Sequence, residues 1–296
     1  MLLQARNDYL RDLNLKIIGG PASQLLASRV AAELNCELAL CKFKTFPDDE
    51  KYIRIIDDIG PEAVIVQSTT TDSDLVVLLQ LIDACSSADR IHVVIPYMGY
   101  ARQDKIFNQG EALSARAVAR TIEADNVITV NIHEDSILNY FKCKSVNVNA
   151  APLMGQFVSA MDLHNPVILA PDKGAKELAA SAAKEMGIEY DYLEKKRISG
   201  DTVEVSPKNL DARGRDVVIL DDIISTGGTM AEAVRMLREQ GALDVYVACI
   251  HPVLAGSAVN KLYHSGVKDI IATDSIERAV SRVSVAPLLA QALKEL

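Results

Sequence analysis

The chain has 296 residues, of which 49 % are apolar, and a formal charge of −9 at pH 7. That length suits about two domains with real cores. The negative balance excludes a global positive field for nucleic acid, so a small anionic ligand would need a local cluster of cations. Five scattered cysteines (Cys36, Cys41, Cys85, Cys143, Cys249) without a CxxC pair argue against a zinc site or a disulfide framework. Charges interrupt every apolar run of the opening MLLQARNDYLRDLN, unlike a signal peptide. No apolar stretch is long enough to cross a bilayer. The expectation is a cytoplasmic protein with neither nucleic acid nor membrane as partner.

Short β-branched runs alternate with amphipathic stretches along the whole chain. A strand at 16–18 leads to a helix at 22–34. Strands at 38–43 and 63–67 precede a helix at 74–84. A strand at 91–95, a helix at 114–123 and a strand at 127–131 follow. The alternation pauses near 147–152, which places a domain boundary there and predicts domains 1–150 and 151–296. It resumes with a helix at 152–161, a strand at 167–170 and a helix at 175–186. Then come a strand at 216–220, a helix at 229–240 and a strand at 245–250. A helix at 256–264, a strand at 268–272 and a helix at 287–295 end the series. Several strands are apolar at nearly every position, as in a parallel sheet buried on both faces. The predicted class is therefore α/β with right-handed crossovers. Residues 101–112 and 194–207 are read as long polar loops, the kind that tend to carry function.

Val217-Val218-Ile219-Leu220 reads as a buried strand that ends in Asp221-Asp222. Ser225-Thr226-Gly227-Gly228-Thr229 then opens a helix that stops at Gly241, a good C-terminal cap. Ligands of open α/β sheets bind outside the carboxyl ends of the strands. A Gly-rich turn into a helix N-terminus offers N–H groups and a positive dipole end to a phosphate. Paired carboxylates can accept hydrogen bonds from vicinal ribose hydroxyls, or hold Mg2+ through water. A triphosphate loop would place Lys after the glycines, and none is there. The segment thus reads as a site for a phosphorylated ribose, against the plainer reading of an acidic helix cap.

DDIISTGGT resembles the signature of the type I phosphoribosyltransferase fold, where the loop grips a 5-phosphate and the acids face the ribose. Ser225 stands where relatives often have Asp. Four further segments resemble ribose-phosphate pyrophosphokinase, so the resemblance runs from about Phe46 to about Thr229. It implies two similar phosphoribosyltransferase-like domains, each a mainly parallel sheet flanked by helices. FPDDEKYIRI, beginning at Phe46, is similar to that family's nucleotide loop and implies adenosine contacts by Phe46, Asp48 and Glu50. That loop would reach the ATP site of a neighbouring subunit, so at least a dimer is implied. PYMGYARQDK, from Pro96, resembles PYxxYARQDK and implies that Arg102 and Gln103 contact ATP. Asn131-Ile132-His133 corresponds to DxH at a strand end, which puts His133 at the Mg2+–ATP. Asn replaces the usual Asp there, so Asn131 is left out of the metal set. Ala170-Pro171-Asp172-Lys173-Gly174-Ala175 is similar to SPDxGG, with Asp172 as a second Mg2+ ligand and Ala175 in place of the second glycine. Glu194-Lys195-Lys196-Arg197 matches a loop that closes over the site, with Lys195 and Arg197 stabilising the transition state. Lys196 is the alternative, and a plain basic surface run is the ordinary fate of such a string.

The implied activity is transfer of the β,γ-diphosphoryl group of Mg2+–ATP to the 1-hydroxyl of ribose 5-phosphate, giving phosphoribosyl pyrophosphate and AMP. Two rivals remain: a phosphoribosyltransferase that consumes phosphoribosyl pyrophosphate, and a non-catalytic regulatory relative. The ATP-type segments argue against the first, and the presence of Lys195 and Arg197 against the second. Of the histidines outside the motifs, His92 reads as core, His251 as structural, and His164 and His264 as exposed.

Overall fold

The computed structural model describes residues 15–197, 203–207 and 210–296. The chain divides into two compact units. Unit 1 takes residues 1–149, 275–277 and 284–296; unit 2 takes 150–274 and 278–283. The junction falls at Asn149/Ala150, but residues 284–296 return to unit 1, whereas a simple division at 150/151 would give them to the second domain.

In unit 1, β1 (Leu15–Gly19), β2 (Glu37–Leu38), β5 (Glu62–Val66), β6 (Arg90–Ile95), β7 (Asn126–Val130) and β8 (Lys144–Val148) form one sheet. Their order is β2-β1-β5-β6-β7-β8, with every pair parallel. β3 (Cys41–Thr45) and β4 (Lys51–Ile55) form a separate antiparallel hairpin. The helices are α1 (Gln24–Leu34), α2 (Asp72–Ala84) and α3 (Ser114–Ala119), and a 3-10 turn spans Asp135–Tyr140. Ile18, Ile65, Val93 and Val127 of the sheet pack with Leu78 and Leu81 of α2 and Ala115 and Ala119 of α3. α2 begins with a capping box, Thr71 Oγ1 accepting from the Asp74 N–H and Asp74 Oδ2 accepting from the Thr71 N–H, which satisfies two donors that the first turn leaves open.

In unit 2 the sheet order is β11-β10-β9-β12-β13-β14-β15. Its strands are β9 (Val167–Ala170), β10 (Glu189–Arg197), β11 (Val203–Pro207), β12 (Val217–Ile223), β13 (Val245–His251), β14 (Asp269–Thr273) and β15 (Ser281–Val283). All pairs are parallel except β10 with β11. Alternate residues go to opposite faces, and both faces are covered. Val167, Leu169, Val217, Ile219, Val245 and Val247 pack with Val234 and Leu237 of α6 (Gly228–Glu239) and Leu262 of α7 (Ala258–His264). Ile168, Ala170, Val218, Leu220 and Ala248 pack with Met154 and Val158 of α4 (Ala151–Ser159) and Ala179, Ala182 and Ala183 of α5 (Lys176–Met186). This two-sided burial explains the unbroken apolar runs. α8 (Ala286–Lys294) belongs to unit 1, where it packs on α1 and β8.

The segment 194–207, expected as a polar loop, is corrected by the backbone pairing. Residues Leu193 to Arg197 pair antiparallel with Val203 to Pro207, Lys195 standing opposite Val205 and Arg197 opposite Val203. Backbone hydrogen bonding can hold a charged run in a strand when a β-branched partner run lies across from it. Residues 198–202 of that expected loop lie outside the described residues. Among the described residues no helix is long and apolar enough to cross a membrane.

Candidate functional site

In unit 1 the expected nucleotide-side residues occupy three places. Phe46, Asp48 and Glu50 sit on the turn of the β3–β4 hairpin, all exposed. The Phe46 N–H donates to the Glu50 carbonyl (2.8 Å) and the Asp49 N–H to the Phe46 carbonyl (2.9 Å), closing the turn. Asp49 takes the left-handed conformation at φ 68°, which Asp tolerates better than most residues. Phe46 is 47 % exposed, and its ring meets Tyr52 edge-to-face with centroids 6.3 Å apart. Lys51, at the start of β4, is tied to α2 by a 2.9 Å hydrogen bond from Gln80 Nε2 to its carbonyl.

Arg102 and Gln103 lie beyond the carboxyl end of β6, both exposed. The Gln103 N–H donates to the Tyr100 carbonyl (3.0 Å), and the Ala115 N–H of α3 donates to the Gln103 carbonyl (3.2 Å). Ser114 Oγ and Gln103 Oε1 are 2.5 Å apart. His133 lies beyond the carboxyl end of β7 and is exposed. Asn131 beside it sits at φ 37°, and its amide donates to Asn149 Oδ1 at 3.1 Å.

In unit 2 the other residues gather at the carboxyl ends of β9 and β12, which are neighbouring strands. Asp172 follows β9, and its Oδ1 accepts from the backbone N–H groups of Gly174 (2.7 Å) and Ala175 (3.3 Å), which fixes the carboxylate. Asp221 and Asp222 are the fifth and sixth residues of β12 and are half-buried. Burial, then the charge of and a hydrogen bond with Asp222, then the charge of Asp172, push the Asp221 carboxyl up to about 8, against one favourable backbone N–H from Asp222. An acid whose proton affinity is raised by burial and by two neighbouring carboxylates marks a place suited to a hard cation or to hydroxyl donors. Among the described residues no three His, Cys, Asp or Glu side chains converge to hold a metal. This donor set fits Mg2+, which keeps waters and takes substrate phosphate oxygens beside one or two carboxylates.

Ser225 and Thr226 bridge β12 to α6. Gly227 sits at φ 72°, and an added Cβ would be 3.3 Å from the Ala258 carbonyl oxygen. Left-handed backbone against a close carbonyl favours glycine. The Ala231 N–H donates to the Gly227 carbonyl (2.9 Å), so Gly228, Thr229 and Met230 present the first N–H groups of α6. No side chain caps that end. The loop is braced from below: the Ile224 N–H donates to His251 (3.2 Å), while the Leu254 and Ala255 N–H groups donate to the Ile224 (2.9 Å) and Ser225 (3.0 Å) carbonyls. This braced turn groups backbone N–H donors with the hydroxyl-bearing residues Ser225, Thr226 and Thr229, an arrangement suited to an anion. Lys195 and Arg197 belong to the same sheet on β10. Their side chains lie outside the described part of the structure.

Histidines outside these segments fit structural roles. His92 is buried, its Nδ1 3.0 Å from the Asn126 amide, and burial lowers its pKa against the raising charges of Glu62 and Asp125. His251 is buried at the end of β13, and His164 and His264 are exposed. Cys85 and Cys249 are buried and the other three cysteines half-buried, all free. The sequence reading passed over Asp72, whose carboxylate is bonded to the Tyr100 hydroxyl, and Gln80, because each pairs across about 28 residues and no local pattern marks either.

Residues 15–125 match the family described as the N-terminal domain of ribose phosphate pyrophosphokinase, and residues 138–286 match the phosphoribosyl transferase domain. The ribose-phosphate pyrophosphokinase of Methanosarcina acetivorans is 59 % identical over 283 residues, covering 95 % of this chain and 100 % of that one. Ribose-phosphate pyrophosphokinase 2 of Archaeoglobus fulgidus is 49 % identical, covering 94 % of this chain and 99 % of that one. The crystal structure of phosphoribosylpyrophosphate synthetase from Mycobacterium smegmatis superposes with a TM-score of 0.81 at 30 % identity, over 95 % of this chain and 97 % of that one. A braced turn after β12, an acidic group at the ends of β9 and β12, and near-full-length similarity agree: the chain belongs to the ribose-phosphate pyrophosphokinase family.

Proposed function

We infer that the protein transfers the β,γ-diphosphoryl group of ATP to the 1-hydroxyl of ribose 5-phosphate, producing phosphoribosyl pyrophosphate and AMP. The observation that carries this is the joining, in one chain, of the braced cradle at Ser225–Thr229 with an N-terminal unit matched over residues 15–125. A phosphoribosyltransferase domain alone would need only the cradle.

In the proposed reaction the N–H groups of Gly228, Thr229 and Met230 and the hydroxyls of Ser225, Thr226 and Thr229 hold the 5-phosphate. Asp221 and Asp222 take hydrogen bonds with the ribose hydroxyls. Phe46 stacks on adenine, Asp48 and Glu50 bond the adenosine, and Arg102 and Gln103 hold the polyphosphate. Asp172 and, on the ATP side, His133 would hold Mg2+, which would supply charge neutralisation on the phosphates. The anomeric hydroxyl oxygen attacks the β-phosphorus and gives up its proton to solvent, the bond from that phosphorus to the α-phosphate oxygen breaks, and AMP leaves. Lys195 and Arg197 neutralise the charge that develops as it departs. Positioning and electrostatics suffice for such a transfer, so no protein nucleophile is required. Phe46 serves the ATP site of a neighbouring subunit, which makes the working unit at least a dimer.

AMP formation from ATP and ribose 5-phosphate, with no base added, tests the reading. The expected result is one AMP per phosphoribosyl pyrophosphate. A requirement for a base would favour a phosphoribosyltransferase, and no turnover a regulatory relative.

A further inference from the structure

The loops after β5 and β6 are strapped together in unit 1. The Thr69 N–H donates to the Tyr97 carbonyl (2.9 Å), and the Gly99 N–H donates to both the Thr69 carbonyl (3.1 Å) and its Oγ1 (2.9 Å). A Cβ on Gly99 would sit 2.2 Å from the Thr69 carbonyl oxygen, so only glycine allows this approach. The chain must then turn sharply, and it does so at Tyr100, a bulky residue held at φ 65°. A non-glycine residue in the left-handed region is unfavourable by itself and persists only where its surroundings fix it. Here the fixing contact is visible: the Tyr100 hydroxyl donates to Asp72 Oδ1 at 2.5 Å. Asp72 is the first residue of α2, and the capping box of Thr71 and Asp74 holds that end of the helix. Hydrogen bonding and charge from Asp72 push the Tyr100 phenol pKa up, so the donor proton is retained. Two residues beyond the turn stands Arg102, and Gln103 is fastened on its far side to Ser114 and Ala115 of α3.

We propose that Asp72 and Tyr100 are positioning residues for ATP: their hydrogen bond holds the left-handed turn that aims Arg102 at the polyphosphate. This rests on the assignment of Arg102 to ATP made above. Neither side chain need touch the substrate. Arg102 is exposed, and among the described residues no ion pair holds it, so its aim depends on the backbone that carries it. Loss of the tether should let the turn relax toward ordinary backbone and carry Arg102 away from the phosphate.

The test is steady-state kinetics of Tyr100→Phe, Asp72→Ala, Asp72→Asn and the Tyr100→Phe/Asp72→Ala double variant. The KM for ATP should rise about three- to tenfold in Tyr100→Phe and in Asp72→Ala, the scale of one lost hydrogen bond. The KM for ribose 5-phosphate should stay unchanged. The double variant should be no worse than either single one, because the two groups act through one bond. Asp72→Asn, which keeps an acceptor oxygen, should restore most of what Asp72→Ala loses. An unchanged KM for ATP in Tyr100→Phe overturns the proposal. So does an equal rise in both KM values, which would mark general loosening of the fold. If the unaltered protein forms no AMP, the assigned reaction fails instead; the pair is then judged by ATP calorimetry, where unchanged affinity in Tyr100→Phe overturns it.

Discussion

Asp221 shows what a single buried carboxyl costs. Its folded pKa is about 8 against an ordinary value of 3.8, raised first by burial and then by Asp222. Between those values the folded protein holds a proton that the unfolded chain has lost. Folding stability therefore falls as pH rises from about 4 to about 8, and the loss is complete above 8. Asp221→Asn removes that slope. In metal-free buffer the variant should melt higher than the unaltered protein at pH 8.5, and the gap should shrink toward pH 4. A pH-independent gap, measured by thermal unfolding across that range, would detach the stability effect from the carboxyl. The same substitution should weaken ribose 5-phosphate binding, which is the reason to tolerate an unstable acid. Asp221 was legible in the sequence because a carboxylate directly after four apolar strand residues marks the end of the buried part of a strand. Its partnership with Asp172 was not, since 49 residues separate two acids that β9 and β12 bring side by side.

At the scale of elements, the strands buried on two faces were the easiest to recognise, and several half-exposed ones were missed. β4 (KYIRI) and β8 (KSVNV) alternate with polar residues, and each lies at an edge or in a hairpin. β10 and β11 carry charge through a paired ladder, so a run that reads as loop is an arm of the sheet. That arm puts Lys195 and Arg197 on hydrogen-bonded backbone rather than on free chain. The cradle after β12 was read correctly as a strand–turn–helix, and its Gly227 has a backbone reason. Gly227→Ala tests that reason. The left-handed φ of 72° and the Ala258 oxygen 3.3 Å from the new Cβ should together cost roughly 1–2 kcal/mol, measured by urea unfolding. Ribose 5-phosphate affinity should fall with it, as the N–H groups of α6 turn away. Unaltered stability would mean that the turn does not need a glycine.

At the scale of the whole molecule, the proposed sharing of Phe46 between subunits makes a sharp demand. Phe46→Ala and Lys195→Ala proteins should each have little activity alone. Co-expressed, they should recover about a quarter of normal activity, because half of random pairs are mixed and each mixed pair completes one of its two sites. Absence of recovery would place Phe46 and Lys195 of the same chain at one ATP site. The domain pattern was legible up to the pause near residue 150, since both halves keep the same strand–helix rhythm. The return of α8 to unit 1 was not. An amphipathic helix shows which of its faces is buried, and nothing in that pattern says what it is buried against.

That return has a consequence for how the molecule is made. Leu26, Ala27, Val30, Ala31 and Leu34 form the buried side of α1, which packs on β1 and on α8. Glu277, which also belongs to unit 1, accepts a hydrogen bond at 2.8 Å from the Leu26 N–H in the first turn of α1. Both α8 and Glu277 leave the ribosome only after nearly all of unit 2. The unit that is begun first is therefore completed last, and during synthesis its α1 face stands without its cover while unit 2 folds. Chaperones and proteases would meet that uncovered face in every nascent chain.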